Sequence, residues 1–282
     1  MQVFNNGAEW HNYWIQTLQT HKSIGFVPTM GALHEGHLDL IKASKKTCDI
    51  TVVSIFVNPI QFNNAEDFEK YPVLTDQDLS LLRQEEVDYV FLPSMETIYP
   101  ESPVLSFNFG NLENVLEGEF RPGHFSGVGI IVSKLFNIIR PTIAFFGQKD
   151  LQQVAIIKRL ALDLSFPLEI QVVPTKREKD GLALSSRNMR LTSIEREKAL
   201  LLIKSLNQAK NELLTGESWL EVRNKVQQLF EEEALTQLEY FELVHPETFE
   251  VFSEFDPHKK SSICVASFVG NVRLIDNLSI NP

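Results

Sequence analysis

The order of hydrophobic and polar positions divides the chain into two parts. In the first part, short apolar runs bounded by turn residues alternate with segments of helical spacing. The apolar runs predict strands at residues 24–28, 50–57, 89–92, 104–109, 142–146 and 168–173. The helical spacing predicts helices at residues 38–48, 76–86, 126–139 and 152–164. This alternation predicts βαβ units, and therefore an α/β fold with a doubly wound parallel sheet of the Rossmann-like type.

The pattern changes after residue 174. A polar loop at 176–181 is followed by two amphipathic helices, predicted at 193–214 and 219–233. Three short strands are then expected near residues 240–244, 262–268 and 272–278. We therefore predict a Rossmann-like domain over residues 1–174 and a smaller α+β C-terminal domain over residues 175–282.

Composition and charge exclude several classes of protein. The 282 residues carry 26 Lys plus Arg against 37 Asp plus Glu, and this net charge of −11 disfavours binding to nucleic acid. Cys48 and Cys264 are far apart and belong to no CxxC motif, which argues against a disulfide framework or a structural zinc site. A reducing cytoplasm fits best. We expect neither a secretory signal nor a membrane span, because no apolar run reaches the roughly 20 residues a span needs.

The string at residues 28–37 carries the clearest chemistry. It follows a predicted strand and precedes a helix expected to begin near Leu38. Gly31 and Gly36 permit close backbone approach or unusual φ, and a helix N-terminus offers free N–H groups to a phosphate. His34 and His37 are three positions apart, so both imidazoles can donate to the same anion. Two surface histidines beside a glycine turn are the alternative, and a zinc site is weaker because further ligands are missing.

Four further polar strings lie where predicted strands end or predicted helices begin. Their candidate members are Asn58, Gln61, Arg121, Gly147, Lys149, Asp150, Gln153, Ser185, Ser186 and Arg187. Amides suit a small polyhydroxy acid, whereas arginine and lysine suit carboxylates and phosphates. Each string also has a structural explanation: a loop shaped by Asn and Pro, a helix start capped by Ser126, a capped helix start at Asp150, or a polar interdomain loop.

The histidine string resembles the H-x-G-H signature of the class I aminoacyl-tRNA synthetase and nucleotidyltransferase superfamily. The longer string at 28–37 is similar to one member family, the pantothenate synthetases (pantoate–beta-alanine ligases). Further strings of that family are N-P-x-Q-F at 58–62, R-P-G-H-F-x-G-V at 121–128, G-x-K-D at 147–150 and S-S-R-N at 185–188. The resemblance implies that ATP activates pantoate as pantoyl adenylate, and that β-alanine then displaces AMP.

The resemblance also implies roles for individual residues. His37 is the first catalytic candidate, followed by His34, Lys149 and Arg187. The implied ATP-binding residues are Met30, Gly31, Ala32, Leu33, His34, Glu35, Gly36, His37, Gly147, Gln148, Lys149, Asp150, Lys176 (through its main chain), Leu184, Ser185, Ser186 and Arg187. The residues expected at pantoate are Gln61, Gln153 and Arg121, and those expected at β-alanine are Gln61 and Asn58. Residues 1–174 would bind nucleotide and pantoate, and residues 175–282 would form a lid.

The same resemblance implies Mg²⁺ accompanying ATP, no protein-held metal, and a homodimer. One departure from the family lies at Tyr71-Pro72, where Val73-Leu74 replaces the usual R-T of the gate loop and puts that arginine's role in doubt. Two other functions are alternatives: a nucleotidyltransferase acting on a phosphorylated substrate, and a nucleotide-binding regulatory module without catalysis. Charge and the lack of room for an anticodon-binding module disfavour tRNA charging.

Overall fold

The computed structural model describes residues 1–15 and 22–281, and the chain forms two compact units. The first unit contains Met1–Phe109, Arg121–Gln148 and Ile156–Pro174. The second contains Gly110–Phe120, Lys149–Ala155 and the chain from Thr175 onward. Two segments that precede residue 174 therefore pack with the second unit. The functional roles assigned from sequence to the two predicted domains stay predictions.

A six-stranded sheet forms the centre of the first unit. Its strands are β1 (Gln2–Phe4), β2 (Ile24–Thr29), β3 (Ile50–Ile55), β4 (Tyr89–Phe91), β5 (Ile143–Gly147) and β6 (Glu169–Val173). They lie in the order β1-β4-β3-β2-β5-β6, and every neighbouring pair is parallel. All six residues of β3 are buried, as expected for a parallel strand covered on both faces.

Helices connect these strands, and further helices belong to the second unit. The helices are α1 (Gly7–Tyr13), α2 (Glu35–Thr47), α3 (Ala65–Glu69), α4 (Thr75–Gln84), α5 (Met95–Ile98), α6 (Glu117–Phe120), α7 (His124–Ile139), α8 (Leu151–Asp163), α9 (Ser193–Lys198), α10 (Leu200–Leu214) and α11 (Trp219–Glu232). In the first unit, α2 packs on β2, β3 and β5 through a core that includes Ile41, Val27 and Val53. None of the helices in the described residues is both long and apolar enough to cross a membrane.

The order in which strands are added to the sheet reverses at β2, and this switch point determines where the candidate functional loops lie. Along the chain β3 follows β2 on one side, whereas β5 lies on its other side. The strands are parallel, so the loops after β2, β3 and β5 leave the same edge of the sheet. In open α/β sheets this switch point, beyond the carboxyl ends of the strands, is where ligands bind.

The second unit contains an antiparallel sheet with helices packed on it. Its strands are β7 (Thr236–Val244), β8 (Ser261–Val269) and β9 (Val272–Asn281), paired in that order. Helices α10 and α11 pack on these strands, and the Trp219 ring stacks on Phe241 with centroids 5.6 Å apart. The core of this unit is separate from that of the first.

Buried ion pairs explain why residues 110–120 pack with the second unit. Arg273 donates from both terminal nitrogens to Glu117, at 2.9 and 2.7 Å, and the Tyr240 hydroxyl donates to the same carboxylate at 2.8 Å. The Glu117 amide donates to Gln152 Oε1 at 3.0 Å. A buried charge is tolerated only when it is paired in this way. These bonds join residues up to 156 positions apart, so local patterns in the sequence do not reveal them.

The predicted fold class, a parallel α/β sheet with a smaller α+β part, is confirmed. The strand predicted at 104–109 is wrong, because this segment forms no strand and pairs with neither sheet. Val104 and Leu105 are 98% and 80% exposed, while Phe107 donates its amide to Ser126 Oγ at 3.0 Å. Ser126 therefore holds this segment and does not cap α7, which begins two residues earlier, after Gly123.

Three further differences concern helices and the start of the chain. The helix predicted over 193–214 is interrupted at Ala199, which is fully buried and separates α9 from α10. Helix α2 begins at Glu35, earlier than the predicted start near Leu38. Strand β1 and helix α1 escaped prediction because three and seven residues are too short to show a clear period.

Candidate active site

The loop after β2 has an unusual backbone held by one buried carboxylate. Gly31 and Ala32 have φ of 79° and 49°, so two consecutive residues are left-handed. Asp78 of α4, only 2% exposed, accepts the amides of Ala32 at 2.8 Å and Leu33 at 2.7 Å. Burial raises the pKa of Asp78, and the hydrogen bonds from the two backbone amides oppose that shift because they favour the charged carboxylate. A Cβ on Gly31 would lie 2.9 Å from Asp78 Oδ2, so glycine is favoured here by both its left-handed φ and the space beside Asp78.

The two histidines cap the start of α2 and thereby orient each other. His34 is the N-cap residue, and its Nδ1 accepts the Gly36 amide at 3.1 Å. His37 reaches back, and its Nδ1 accepts the His34 amide at 3.2 Å. This reciprocal arrangement is a capping box made of histidines, with ring centroids 4.1 Å apart.

The capping bonds decide which ring nitrogen carries the proton. A nitrogen that accepts a backbone N–H has no hydrogen of its own, so in each neutral imidazole the hydrogen is on Nε2. Both histidines then present N–H donors at a helix N-terminus, where the helix dipole also favours negative charge. The loop is therefore suited to binding an anion such as a phosphate.

The loop after β3 holds a connected set of side-chain amides. The Tyr99 hydroxyl donates to Asn58 Oδ1 at 2.8 Å, and Asn58 Nδ2 donates to Gln61 Oε1 at 3.0 Å. Gln61 Nε2 lies 3.2 Å from Met30 Sδ, which joins this loop to the histidine loop. Asn58 is 1% and Gln61 is 8% exposed. Burial raises the pKa of Tyr99, so its hydroxyl stays protonated.

The predicted residue Arg121 lies beside the same loop through His124. His124 Nδ1 is 2.8 Å from the Gln61 carbonyl oxygen, which can only accept, so this nitrogen carries a hydrogen. His124 Nε2 then accepts from Arg121 Nη1 at 3.2 Å. Arg121 Nη2 also reaches the Gln61 carbonyl at 3.5 Å. Arg121 and His124 thus hold the main chain of Gln61, and Asn58 holds its side chain.

The end of β5 offers an open backbone. A Cβ built on Gly147 would meet no atom within 4 Å, so a ligand can approach this residue closely. The chain then makes a 3₁₀ turn over Gln148–Asp150. β5 is next to β2 in the sheet, so Gly147 ends on the same edge as the histidine loop.

In the second unit, Lys149 is held by neighbours on both its side chain and its main chain. Its Nζ lies 3.1 Å from Asp150 Oδ1, and its carbonyl oxygen accepts from Asn277 Nδ2 at 2.8 Å. The adjacent residue Asp276, 3% exposed, forms a two-pronged ion pair with Arg177 at 2.6 and 2.9 Å. The predicted residue Gln153 is half-buried on α8.

The serine loop of the second unit is closed by its own backbone bonds. The Leu184 amide donates to the Lys176 carbonyl at 2.9 Å, and Ser185 Oγ accepts the Arg187 amide at 3.3 Å. Ser185 thereby caps the 3₁₀ turn Ser186–Arg190. Ser186 is buried, whereas Arg187 is half-buried.

The contacts link some predicted residues and add others that sequence patterns missed. In the first unit, Met30, Gln61, Asn58 and Arg121 form one connected group. The residues that hold predicted site residues in place but were not predicted are Asp78, Tyr99, His124, Asp276 and Asn277. His124 lies within a quoted family string, and Tyr99 precedes a proline that ends α5, but their contacts depend on the tertiary fold. No group of three potential metal ligands occurs in the parts of the chain described.

Comparison with known families decides the classification of this chain. The family model described as pantoate-beta-alanine ligase matches residues 2–279. The chain belongs to the pantoate-beta-alanine ligase family. A pantothenate synthetase of Thermoanaerobacter sp. (strain X514) is 50% identical over 258 residues, which cover 91% of this chain and 90% of that relative. A pantothenate synthetase of Thermosipho africanus is 46% identical and covers 99% of this chain and 100% of its own length.

Solved structures of pantoate-beta-alanine ligases agree with the fold. A pantothenate synthetase of Thermus thermophilus has a TM-score of 0.92 and 37% identity, with complete coverage of both chains. A pantoate-beta-alanine ligase of Francisella tularensis, complexed with beta-gamma ATP and beta-alanine, has a TM-score of 0.79 and 38% identity. That match covers 99% of this chain and 98% of the other. The chain is therefore a ligase of the pantoate-beta-alanine ligase family, as predicted.

Proposed function

We propose that this ligase condenses pantoate with β-alanine at the expense of ATP, through a pantoyl-adenylate intermediate. The observation that carries the proposal is the contact between Gln61 and Met30 at the switch point of the sheet. It places a buried amide suited to a small acid directly beside a loop whose histidines and helix start suit a phosphate. Activation of a carboxylate by ATP requires these two kinds of group to be adjacent.

The chemistry proceeds in two balanced steps. A carboxylate oxygen of pantoate attacks the α-phosphorus of ATP, and the bond from that phosphorus to the bridging oxygen breaks to release pyrophosphate. The neutral amine of β-alanine then attacks the acyl carbon, the acyl–oxygen bond breaks to release AMP, and the nitrogen loses a proton. The protein's contribution is to position reactants and to stabilise phosphate charge.

We propose that histidine, lysine and arginine side chains bind the phosphates of ATP. His37 is the first catalytic residue, and His34, Lys149 and Arg187 support it. The remaining ATP contacts are proposed for Met30, Gly31, Ala32, Leu33, Glu35, Gly36, Gly147, Gln148, Asp150, Lys176, Leu184, Ser185 and Ser186. The Nε2–H donors of the histidines support the first assignment, and the open backbone at Gly147 supports close approach of the nucleotide.

Pantoate and β-alanine are assigned to the amides and to one arginine. Gln61, Gln153 and Arg121 would bind pantoate, and Gln61 with Asn58 would serve β-alanine. Both polar atoms of the Asn58 amide are bonded within the protein, so its contacts favour a role through Gln61. Arg121 likewise supports the Gln61 main chain at its present distances.

Three further properties complete the proposal. Mg²⁺ would arrive with ATP, bound mainly by phosphate oxygens, because Mg²⁺ commonly keeps several waters and few protein ligands. A cytoplasmic location is compatible with the unpaired cysteines Cys48 and Cys264. A homodimer follows from the family resemblance, and light scattering after size-exclusion chromatography would measure it.

The deciding experiment separates the two steps. Isotopic pyrophosphate should exchange into ATP only when pantoate is present, and β-alanine should then release AMP. Release of ADP and phosphate in place of AMP and pyrophosphate would show an acyl-phosphate mechanism and contradict the adenylate. Loss of both exchange and AMP release in the purified chain would refute the proposed function.

A further inference from the structure

One backbone oxygen determines how the buried amides of the first unit are oriented. The carbonyl of Gly127 in α7 lies 3.3 Å from the Asn58 amide. A carbonyl oxygen can only accept, so the Asn58 atom facing it is Nδ2. Helix α7 can approach so closely only because residue 127 is glycine, since a Cβ there would lie 2.5 Å from the Ile60 carbonyl oxygen.

The orientation of the Asn58 amide then fixes the orientation of the Gln61 amide. With Nδ2 facing Gly127, Asn58 Oδ1 faces the Tyr99 hydroxyl and accepts its hydrogen. The second hydrogen of Nδ2 goes to Gln61 Oε1. The other end of the Gln61 amide is Nε2, which lies 3.2 Å from the weakly accepting sulfur of Met30. The end of the Gln61 amide that does not contact Asn58 is therefore a donor.

The Tyr99 ring is anchored independently of its hydroxyl. It lies 6.2 Å from the Phe56 ring, and Lys134 Nζ lies 5.4 Å above its centroid. Tyr99 is also the C-cap residue of α5 and precedes Pro100, which disfavours helical backbone at Tyr99. The hydroxyl is thus aimed at Asn58 by groups that its removal would leave in place.

We propose that Tyr99 is a positioning residue which, with the Gly127 carbonyl, keeps Gln61 presenting N–H donors to an acceptor oxygen of the bound acid. This inference rests on the proposed function, in which that acid is pantoate. Without the Tyr99 hydroxyl, Asn58 Oδ1 loses its donor and the Gln61 amide loses part of the restraint on its orientation. Binding of the acid should weaken while nucleotide binding is unaffected.

The test is a double-mutant cycle on pantoate affinity, measured by calorimetry and compared with KM values. Tyr99→Phe should weaken pantoate binding about 3- to 10-fold, the scale of one neutral hydrogen bond, and leave the KM for ATP unchanged. Once Gln61→Ala has removed the amide, adding Tyr99→Phe should cause no further loss. The matched control is Tyr89→Phe. It removes a hydroxyl that forms a 2.8 Å hydrogen bond with the Tyr13 hydroxyl, outside the loop of residues 56–62. This control should change neither the pantoate affinity nor the KM for ATP.

Two results would overturn the inference. Additive losses in the cycle would show that Tyr99 acts independently of Gln61, and an equal rise in the KM for ATP would show a general structural effect. Wild-type protein that neither exchanges pyrophosphate nor binds pantoate would instead refute the proposed function. Thermal unfolding of each variant confirms that the compared proteins are folded.

Discussion

The two loops that follow β2 and β3 leave the same edge of the sheet but are held in different ways. In the loop of residues 30–34, the restraint acts on the backbone: Gly31 and Ala32 are left-handed, and the amides of Ala32 and Leu33 donate to the Asp78 carboxylate. In the loop of residues 56–62, it acts on side chains, through the amides of Asn58 and Gln61. The difference teaches that a left-handed backbone needs a buried acceptor for its amides. The loop of residues 56–62 instead needs each side-chain donor to face an acceptor.

This contrast predicts which changes are costly in each loop. The first loop should be sensitive to anything that removes Asp78 or adds a Cβ at Gly31, because either change alters the path of the chain. The second should tolerate changes of shape better than changes that exchange a donor for an acceptor. In both loops the groups offered to a ligand, Nε2–H of the histidines and Nε2–H₂ of Gln61, are donors.

The largest effect is expected at His37. His37→Ala removes a donor oriented by the cap and should slow pantoate-dependent pyrophosphate exchange by about 10²–10³, the usual scale for one preorganised electrostatic donor. The matched control is His245→Ala, because His245 Nδ1 also accepts backbone amides, from Glu247 and Thr248, in the second unit. If both variants slow exchange equally, the loss of a backbone-accepting histidine in general, and not a donor specific to His37, explains the effect.

Loss of the buried carboxylate should have the next largest effect. Asp78→Ala leaves the amides of Ala32 and Leu33 without acceptors, which should lower the free energy of unfolding by about 2–4 kcal/mol and raise the KM for ATP. Asp78→Asn keeps one acceptor oxygen and should give an intermediate loss. Urea unfolding and initial-rate kinetics measure the two quantities. Unchanged unfolding in Asp78→Ala would contradict the account of this loop.

The sequence predicted much of the fold because strands and helices leave periodic signals. The buried runs of β2, β3 and β5 and the amphipathic α11 lie close to their predicted positions, and the histidine string was placed correctly after a strand. Short elements such as β1 were missed because they lack a period. The strand predicted at 104–109 was wrong because apolar composition alone does not show whether a segment pairs with a sheet.

The supporting residues of the site were not predictable for a different reason. Asp78 bonds to residues 45 and 46 positions earlier, and Tyr99 bonds to Asn58 across 41 positions. Nothing in the letters around Asp78 distinguishes it from a surface residue of an amphipathic helix. Such residues become visible only when the fold brings distant segments together, whereas candidate ligand-binding residues group in short strings.

The steric part of the comparison can be tested with two glycines that share a left-handed backbone. Gly31 and Gly216 have φ of 79° and 99°, so alanine at either should cost about 1 kcal/mol or slightly more. Gly31→Ala should cost more, because its Cβ would contact Asp78, whereas Gly216 has open space. Only Gly31→Ala should raise the KM for ATP. Equal losses of stability would mean that Asp78 yields readily and that the loop is less rigid than its bonds suggest.

The smallest effect on stability, yet an informative one for the site, is expected at Gly147. Alanine has space there and no left-handed φ to adopt, so Gly147→Ala should change the melting temperature little. If ATP approaches this backbone closely, the added methyl should raise the KM for ATP about fivefold or more, since overpacking a tight contact costs about 1–3 kcal/mol. Gly7→Ala, which also meets only ordinary contacts, is the control and should leave that KM unchanged. An unaltered KM in Gly147→Ala would remove Gly147 from the ATP site and leave the histidine loop as the phosphate-binding element at this edge of the sheet.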